Sequence, residues 1–475
     1  MIKNPREILV GGRRVTTEKI VSIFNPFNGD VVGEVCWAGP AEARAAVETA
    51  DQARRMLANL PSHRKGEILG EVAEIIRRRR EEIARTITLE CGKPIRESRS
   101  EVDRAALTFG IAAEEAQRIG GEMIPLDRNA PSAGRWGLTR RFPAGPVFGI
   151  SPFNFPLNLV AHKIAPSIAA GNPIILKPSS RTPITALLLG DIVLEAGLPP
   201  EGLSVIPCGT ADAEAALMDE RIKVLSFTGS ATVGWALKGK AVHKKVLLEL
   251  GGNAGVIIDE TADLDYAAGR CVTGAFSYAG QVCISVQRIY IHEKVFDSFL
   301  SRFIPLVGKL RGGDPLSDET DIGPMIDDDN INRVGTWVQE AIGAGARVVT
   351  GGRREGNFYV PTVLNDTTPE MKVSCMEVFA PVVTVARIRD VEEGIRAVND
   401  TVYGLQAGVF TASLRNAFHA FEQIEAGGVI INDVPTYRVD HMPYGGVKRS
   451  GFGREGLRYA IEEMTESRLM VLNVI

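Results

Sequence analysis

The chain has 475 residues, of which 45% are hydrophobic and 24% charged, and its formal net charge at pH 7 is −4. This composition is that of an ordinary globular protein with two or more domains, and the near-balance of charge indicates no nucleic-acid partner. The densest basic run, residues 77–80, is followed at once by Glu81 and Glu82 in a helical pattern, which is typical of a solvated helix face.

The start of the chain, "MIKNPREILVGGRR", has no apolar segment behind a basic one, so no secretory signal is predicted. The uncharged stretch 142–161 contains four prolines, which would leave backbone groups unsatisfied in lipid, so it is interpreted as strand and loop and no membrane partner is expected. The six cysteines form no CxxC pair. This spacing argues against disulfides and a structural zinc site, so we expect no metal and a cytoplasmic location.

In chain order, helical periodicity first covers residues 41–60 and then residues 64–90, where "CGKP" closes the second segment. Short apolar runs follow, each bounded by Gly, Pro, Ser or Asn and several separated by helical stretches: "GPVFGIS", "NPIILKPSS", "LSVIPCGT", "VLSFTGS", "KKVLLELGG" and "NAGVIID". This alternation predicts a parallel α/β sheet with crossover helices.

A second series of apolar runs follows residue 283, namely "RIYIH", "ARVVTGG", "YVPTVL", "PVVTVARI" and "GGVIIND". Helical stretches at 295–310 and 330–343 are mixed with them, so a second α/β domain is predicted. The polar, proline-bearing stretch 120–141 and the C-terminal "SRLMVLNVI" interrupt this pattern. We interpret them as projecting strands whose edges a partner chain covers.

Three residues suggest chemistry. Cys283 lies in "SYAGQVCISVQR", 34 residues after Glu249 in "LELGGN". A lone cysteine is more often a small buried hydrophobe than a nucleophile, but the glycine pair 251–252 is expected to permit a tight turn that presents Glu249 as a base at the end of a strand. Asn154 in "SPFNFP" is flanked by proline and aromatic residues, and its amide is a neutral donor suited to an oxyanion.

Seven motifs, "SPFNFP", "ILKPS", "SFTGS", "LELGGN", "GQVC", "EVFAP" and "PYGGVKRSGFGREG", occur between residues 151 and 456. In this order and spacing they resemble the aldehyde dehydrogenase superfamily over essentially the whole chain. The resemblance implies an α/β fold with a Rossmann-type NAD(P)-binding domain (1–120 and 142–251), an α/β catalytic domain (252–458) and a small β oligomerisation element (121–141 and 459–475). It also implies a homodimer or homotetramer.

The activity implied by the resemblance is NAD(P)-dependent oxidation of a small aldehyde to the carboxylic acid through a cysteine thiohemiacetal and a thioester. Cys283 would be the nucleophile, Glu249 the general base, and Asn154 would hold the oxyanion together with the Cys283 N–H. The residues implied to bind NAD or NADP are Ser151, Phe153, Lys177, Ser180, Gly229, Ser230, Gly234, Glu377 and Phe379. Among them, Gly229 and Gly234 open a helix that can receive pyrophosphate, and Lys177 matches the lysine at the adenosine ribose.

Within the superfamily, "CISVQR" and "RVDHMPYGGVKRSGFGREG" look most similar to lactaldehyde, phosphonoacetaldehyde and non-phosphorylating glyceraldehyde-3-phosphate dehydrogenases. By this resemblance Arg104 and Arg438 are expected to bind an anionic or hydroxylated substrate, since guanidinium groups suit phosphate and carboxylate. The alternative, that both arginines form structural ion pairs, stays open. His162 and His243 are left outside the predicted site.

Ser180 bears on the cofactor, because many NAD-preferring relatives have a glutamate there, three residues after the lysine. A serine removes the repulsion of a 2′-phosphate, with which Lys177 and Arg181 could pair, so we predict that NADP is used at least comparably to NAD. The alternative is that Ser180 merely faces water and NAD is preferred.

Two other functions are weighed. A CoA-acylating semialdehyde dehydrogenase is the first alternative, but members of that type lack the general-base glutamate that Glu249 supplies. A non-enzymatic structural relative is the second, and the joint presence of Cys283, Glu249 and Asn154 argues against it.

Overall fold

The computed structural model describes residues 5–474, so the ends of the predicted domain ranges, residues 1–4 and 475, lie outside the described residues. The strands are β1 (Ile8–Val10), β2 (Arg13–Val15), β3 (Ile20–Phe24), β4 (Val31–Cys36), β5 (Met123–Pro125), β6 (Arg135–Pro143), β7 (Val147–Ile150), β8 (Ile174–Lys177), β9 (Leu203–Val205), β10 (Val224–Thr228), β11 (Lys245–Glu249), β12 (Ala254–Ile258), β13 (Val286–His292), β14 (Arg347–Thr350), β15 (Arg354–Glu355), β16 (Phe358–Tyr359), β17 (Thr362–Asn365), β18 (Val382–Ile388), β19 (Gln406–Phe410), β20 (Gly428–Ile431), β21 (Gly451–Phe452) and β22 (Thr465–Asn473).

The helices are α1 (Pro40–Ala58), α2 (Ser62–Arg78), α3 (Arg80–Cys91), α4 (Ile95–Glu115), α5 (Asn158–Ala170), α6 (Pro183–Glu195), α7 (Thr210–Met218), α8 (Ala231–Lys240), α9 (Leu264–Phe276), α10 (Phe296–Val307), α11 (Asp328–Gly343), α12 (Lys372–Cys375), α13 (Val391–Asn399), α14 (Leu414–Gln423) and α15 (Leu457–Glu463). None of the helices within residues 5–474 combines the length and the apolar character needed to span a bilayer.

The first sheet has eight strands in the order β2-β1-β9-β8-β7-β10-β11-β21. Its five central strands, β7 to β11, are parallel, which confirms the prediction from the first series of apolar runs. Along the chain, β8 and β9 are added on one side of β7, and β10 and β11 on the other. The strand order therefore reverses between β7 and β10, and ligands of open α/β sheets bind at such a switch point, at the carboxyl ends of the strands.

The second sheet has seven strands in the order β14-β17-β18-β13-β12-β19-β20. All its pairings are parallel except that of β14 with β17, so the predicted second α/β unit is also confirmed. The strand β19, "QAGVF", was not among the predicted runs. It lies buried beside β12, where both faces are covered and no alternation marks the strand.

The third sheet has the order β22-β6-β5 and joins the two segments that were interpreted as projecting strands. β22 pairs antiparallel with β6 from Thr465 opposite Pro143 to Asn473 opposite Arg135. Apolar side chains on it, including Trp136 and Met470, are exposed. The predicted domain ranges stay a prediction. In the structure, β21 pairs with β11 in the first sheet, and α15 packs against α4 and α5.

Two secondary-structure predictions were wrong in detail. The single helix predicted over 64–90 is two helices, because Arg79, with φ −100° and ψ 20°, leaves the helical path between α2 and α3. Hydrophobic periodicity does not register this break, since both helices keep the same apolar spacing. The stretch 142–161 is strand and loop only as far as Leu157, and α5 begins at the next residue. All thirteen residues of α5 are buried, so it has no amphipathic stripe by which to recognise a helix.

Candidate active site

The site lies at the switch point of the first sheet. Strand β7 leads directly to the segment 151–154, β10 leads to Gly229 and Ser230, and β11 ends at Glu249. These ends surround a cavity of about 370 Å³, and the loop that carries Cys283 closes its other side. The residues of the predicted site that line it are Phe153, Asn154, Gly229, Ser230, Glu249, Cys283, Glu377 and Phe379.

The loop of residues 277–285 carries Cys283 from α9 to β13 with a strained backbone. Tyr278 and Ala279 have φ values of +47° and +51°, a region that costs a non-glycine residue about 1–3 kcal/mol. Tyr278 holds the loop in place, because its hydroxyl donates to the Cys91 carbonyl at 2.9 Å and its N–H donates to Glu97 Oε1 at 3.0 Å. Buried contacts therefore hold the nucleophile loop in one conformation.

The glycine pair of "LELGGN" serves close approach rather than the tight turn that was expected. Neither Gly251 nor Gly252 has a positive φ. A Cβ on Gly252 would lie 2.3 Å from the Cys283 carbonyl oxygen, and one on Gly251 would lie 2.2 Å from Glu377 Oε2. The two glycines thus let the end of β11 come close to both the Cys283 loop and the Glu377 carboxylate.

Cys283 is partly buried, and its Sγ lies 3.3 Å from the hydroxyl of Tyr444. Burial raises the pKa of the Cys283 thiol to about 11, against the opposing effects of the Tyr444 hydroxyl and the Arg438 charge. The thiol therefore holds its proton at neutral pH in this structure. Because the thiolate is the nucleophilic form, the chemistry needs a proton acceptor.

Glu249 is a buried carboxyl group whose Oε2 has no hydrogen-bond partner among the described residues. Burial, and then the neighbouring Glu455, raise the pKa of Glu249 well above its usual value. Because its pKa is raised, Glu249 binds a proton more readily than an exposed glutamate does, which suits a general base.

Asn154 is held beside the same loop by one hydrogen bond. Its Nδ2 donates to the carbonyl of Gln281 at 3.0 Å, and Gln281 is in turn fixed because its Oε1 accepts the N–H of Ile326 at 2.9 Å. The second hydrogen of the Asn154 amide makes no bond to residues 5–474. It is therefore available as a donor next to Cys283.

The cofactor residues predicted by resemblance divide into two groups. Gly229 and Ser230 line the cavity at the start of α8, and the Ser230 Oγ caps this helix by accepting the N–H of Val233 at 3.4 Å. Glu377 accepts the Gly252 N–H at 3.0 Å, and burial raises its pKa to about 7. The Phe379 ring stands edge-on to that of Phe153 at 6.0 Å.

The other predicted cofactor residues lie outside the lining of this cavity. Lys177 ends β8 and is largely buried, which lowers its pKa, and Ser180 is exposed in the following loop. Gly234 is buried against Leu250 in the body of α8. The Ser151 hydroxyl is buried without a partner among the described residues. The start of α8 and the Glu377 carboxylate line the cavity at the switch point of the first sheet, where open α/β sheets bind dinucleotides.

A second cavity, of about 310 Å³, shares Cys283 with the first and is lined by Arg104 and Arg438. Arg104 donates to Asp440 through two nitrogens, at 2.7 and 3.3 Å. The side chain of Arg438 is only 7% exposed, and Arg438 donates to Glu455 at 3.1 Å. The structure thus brings both arginines to the cavity beside Cys283, and both are ion-paired.

Sequence reasoning missed a polar cluster behind Cys283. The ring of Tyr444 lies under the Arg438 guanidinium at 3.7 Å, and Glu455 lies beside Glu249. Burial acts to raise the pKa of Glu455, but the charges of Lys163, His162 and Arg438 hold it below its usual range. Both Tyr444 and Glu455 belong to the quoted motif "PYGGVKRSGFGREG", which was the available signal.

Lys163 and His162 gave no such signal, because they lie on the uniformly buried α5. Lys163 Nζ donates to Thr228 Oγ1 at 2.7 Å and lies 3.7 Å from Glu455 Oε1. His162 Nε2 lies 2.8 Å from Asp440 Oδ1, and His162 lines neither of the two cavities. The partners of both side chains lie more than sixty positions away in sequence, and His162 Nδ1 has no hydrogen-bond partner among the described residues.

Comparison with known proteins agrees with this geometry. The profile of the aldehyde dehydrogenase family matches residues 14–470. The chain is 44% identical to the 3-sulfolactaldehyde dehydrogenase of Priestia aryabhattai over 98% of both chains. Among solved structures, aldehyde dehydrogenase 21 from Physcomitrella patens, in complex with its reaction product succinate, is 43% identical with a TM-score of 0.98 over 99% of both chains.

The glyceraldehyde-3-phosphate dehydrogenase of Methanocaldococcus jannaschii, complexed with NADP, is 37% identical to the chain with a TM-score of 0.92, over 97% of this chain and 100% of that one. The match of the family profile is nearly complete, and relatives above 30% identity are covered almost end to end. The chain therefore belongs to the aldehyde dehydrogenase family.

Proposed function

We propose that the chain oxidises a short anionic aldehyde to the carboxylic acid, with NADP or NAD as cofactor and Cys283 as nucleophile. The observation that carries this proposal is that Cys283 lines two cavities at once. One cavity is lined by the residues at the start of α8 and by Glu377, and the other is lined by Arg104 and Arg438. A nucleophile between a dinucleotide site and an anion site suits oxidation of an anionic aldehyde.

Cys283, Asn154 and Glu249 act in different steps of the proposed reaction. The Cys283 thiol loses its proton to water, and the sulfur attacks the aldehyde carbon, so a carbon–sulfur bond forms, the carbon–oxygen π bond breaks and the carbonyl oxygen becomes an oxyanion. The free amide hydrogen of Asn154 and the Cys283 N–H stabilise that charge as it develops. After oxidation to the thioester, Glu249 accepts a proton from water, which attacks the carbonyl and releases the acid and the thiol.

The cofactor supplies the hydride acceptor when it is bound. The residues proposed to hold it are Ser151, Phe153, Lys177, Ser180, Gly229, Ser230, Gly234, Glu377 and Phe379. The exposed Ser180 puts no carboxylate where a 2′-phosphate would lie, and the NADP complex of the M. jannaschii relative supports use of NADP. Arg181 donates to Asp327 at 2.9 Å, so Lys177 is the better placed of the two cations.

The anionic substrate class is supported by the relatives and by the cavity. Sulfolactaldehyde, succinate and glyceraldehyde 3-phosphate each carry an anionic group, and these are the compounds in the names of the three proteins compared. Arg104 and Arg438 line the cavity beside Cys283, whose volume of about 310 Å³ suits a short chain. A CoA-acylating reaction is not favoured, because Glu249 supplies the base for hydrolysis.

We also propose that the protein is a cytoplasmic homodimer or homotetramer. The exposed apolar residues of the third sheet, among them Trp136, Leu469 and Met470, support a partner chain on this face. Light scattering coupled to size-exclusion chromatography measures the mass, and a monomer at micromolar concentration would contradict the proposal.

A turnover screen tests the function. Purified protein is assayed with neutral and anionic aldehydes of equal chain length, each with NAD and with NADP, and kcat/KM is compared. We expect an anionic aldehyde to be preferred, and NADP to be used at least as well as NAD. A rejection of NADP by about a hundredfold, roughly 2.7 kcal/mol, would overturn the cofactor proposal. Equal turnover of neutral and anionic aldehydes would overturn the substrate class.

A further inference from the structure

A third arginine lines the cavity beside Cys283. Arg270 lies on α9, and its Nε donates to Asp433 Oδ1 at 2.6 Å. The two terminal nitrogens of Arg270 make no hydrogen bond to residues 5–474, and its side chain is 32% exposed. The guanidinium group is therefore anchored by one edge, while its other N–H groups remain available to a ligand.

Arg104 is held in a similar way, by Asp440 through Nε and Nη2. The carboxylates that anchor these arginines, Asp433 and Asp440, are not among the residues that line the cavity. The two guanidinium groups thus border the cavity while their partner charges lie outside its lining. Two guanidinium groups fixed in this way are suited to bind the oxygens of a carboxylate, sulfonate or phosphate.

Two carboxyl groups, Glu97 and Glu101, also line the cavity. Glu101 forms a buried ion pair with Lys93 and also accepts the N–H of Leu157 at 2.9 Å. Glu97 accepts the N–H of Tyr278, and burial raises its pKa to about 7. The lining of the cavity thus holds three guanidinium groups and two carboxyl groups, of which Glu101 is already paired with Lys93.

Arg438 differs from the other two arginines. It is nearly covered, its guanidinium group stacks on Tyr444, and its Nη2 is shared between Glu455 and His162. These contacts tie Arg438 to the buried polar cluster and leave it little surface for a substrate.

From this arrangement we infer that Arg270, together with Arg104, binds the anionic end of the aldehyde and sets the preference for anionic substrates. The inference rests on the proposed function and adds a specificity-determining residue to it. The sequence did not indicate this role for Arg270, because Arg270 lies on α9, before the loop that carries Cys283, and belongs to none of the quoted family motifs.

The test compares Arg270→Gln with Arg302→Gln as a matched control. Arg302, on α10, also donates through Nε to an aspartate, Asp265, at 2.8 Å, and its side chain is 39% exposed, but it does not line the cavity. The assay measures kcat/KM for succinic semialdehyde and for butanal, which have the same number of carbons and differ in charge. The readout is the ratio of the two values.

We expect Arg270→Gln to lower the preference for succinic semialdehyde roughly tenfold to a hundredfold, the range for a hydrogen bond to a charged group. The loss should be mainly in KM, and Arg302→Gln should keep the wild-type ratio. Arg270→Lys keeps the charge but cannot hold Asp433 and a ligand together, so it should lose part of the preference. If Arg270→Gln does not fold, the same comparison is made with Arg270→Lys alone.

The outcomes separate the inference from the function on which it rests. If the wild type prefers succinic semialdehyde and both Arg270 variants keep that preference, the inference on Arg270 is overturned while the proposed function stands. An equal loss with both aldehydes would assign Arg270 a structural role and also overturn the inference. A wild type that does not prefer the anionic aldehyde would overturn the substrate class and the inference together.

Discussion

Replacing Glu249 by glutamine should separate the formation of the thioester from its hydrolysis. The amide keeps the shape of the side chain but cannot accept a proton, so formation of the thioester should proceed while its hydrolysis slows. A positioned general base contributes roughly 10²- to 10⁴-fold to the rate, or about 2.7–5.5 kcal/mol of barrier, and kcat should fall by an amount in this range.

The effect of the same change on stability can be worked out from the surroundings of Glu249. Its Oε2 has no partner, so an amide N–H placed there costs about 1–3 kcal/mol. Against this, the raised pKa means that the folded protein binds the proton of Glu249 more tightly than the unfolded chain does. The free energy of unfolding of the wild type therefore falls as the pH rises from the usual glutamate pKa toward the raised one.

Glutamine removes this pH dependence, so the Tm of the variant relative to the wild type should increase with pH across that window. Scanning fluorimetry at several pH values measures the difference in Tm.

Rapid mixing of the Glu249→Gln variant with aldehyde and NADP should show a burst of about one reduced cofactor per site, followed by slow turnover. Glu260→Gln, an exposed site that pairs with Lys294, serves as control and should behave as the wild type. If the burst itself disappears in Glu249→Gln, then Glu249 acts earlier, in activating Cys283, and the assignment to hydrolysis is refuted.

Three further predictions follow from the geometry. Cys283→Ala should abolish turnover by several orders of magnitude while NADPH binding, followed by fluorescence titration, persists; activity within a few-fold of the wild type would remove Cys283 from the mechanism. Ser180→Glu should depress kcat/KM for NADP far more than for NAD, by up to about 4 kcal/mol for unit charges 4 Å apart at an effective dielectric constant of twenty, and equal effects on both cofactors would contradict it. Gly251→Ala places a Cβ 2.2 Å from Glu377 Oε2 and should displace that carboxylate, which raises KM for the cofactor by roughly tenfold to a hundredfold; an unchanged KM would show that Glu377 does not contact the cofactor.

Much of the fold was predictable from the sequence. Short apolar runs bounded by turn residues predicted the parallel strands of both sheets, because burial on both faces requires such runs and their ends require residues that terminate a strand. The helix break at Arg79 and the helix α5 escaped prediction for related reasons. A change of helix direction leaves the apolar spacing intact, and a helix buried on all sides has no spacing to detect.

The candidate site was predictable only as far as motif resemblance extends. Cys283, Glu249 and Asn154 were named from their motifs, and the structure places all three at one cavity. Their roles remain proposals. The motif containing Tyr444 was recognised as well, but its hydroxyl could not be placed beside Cys283, because the two residues are 161 positions apart.

The sequence by itself determined the elements and their order, since local sterics and hydrophobic spacing act over a few residues. Only the tertiary structure decided which side chains meet. The approach of Glu377 to Gly251, and the positions of Arg104 and Arg270 at one cavity, depend on how two separate sheets and their helices pack. Such contacts join residues that are more than a hundred positions apart, and no local pattern in the chain encodes a distance of that kind.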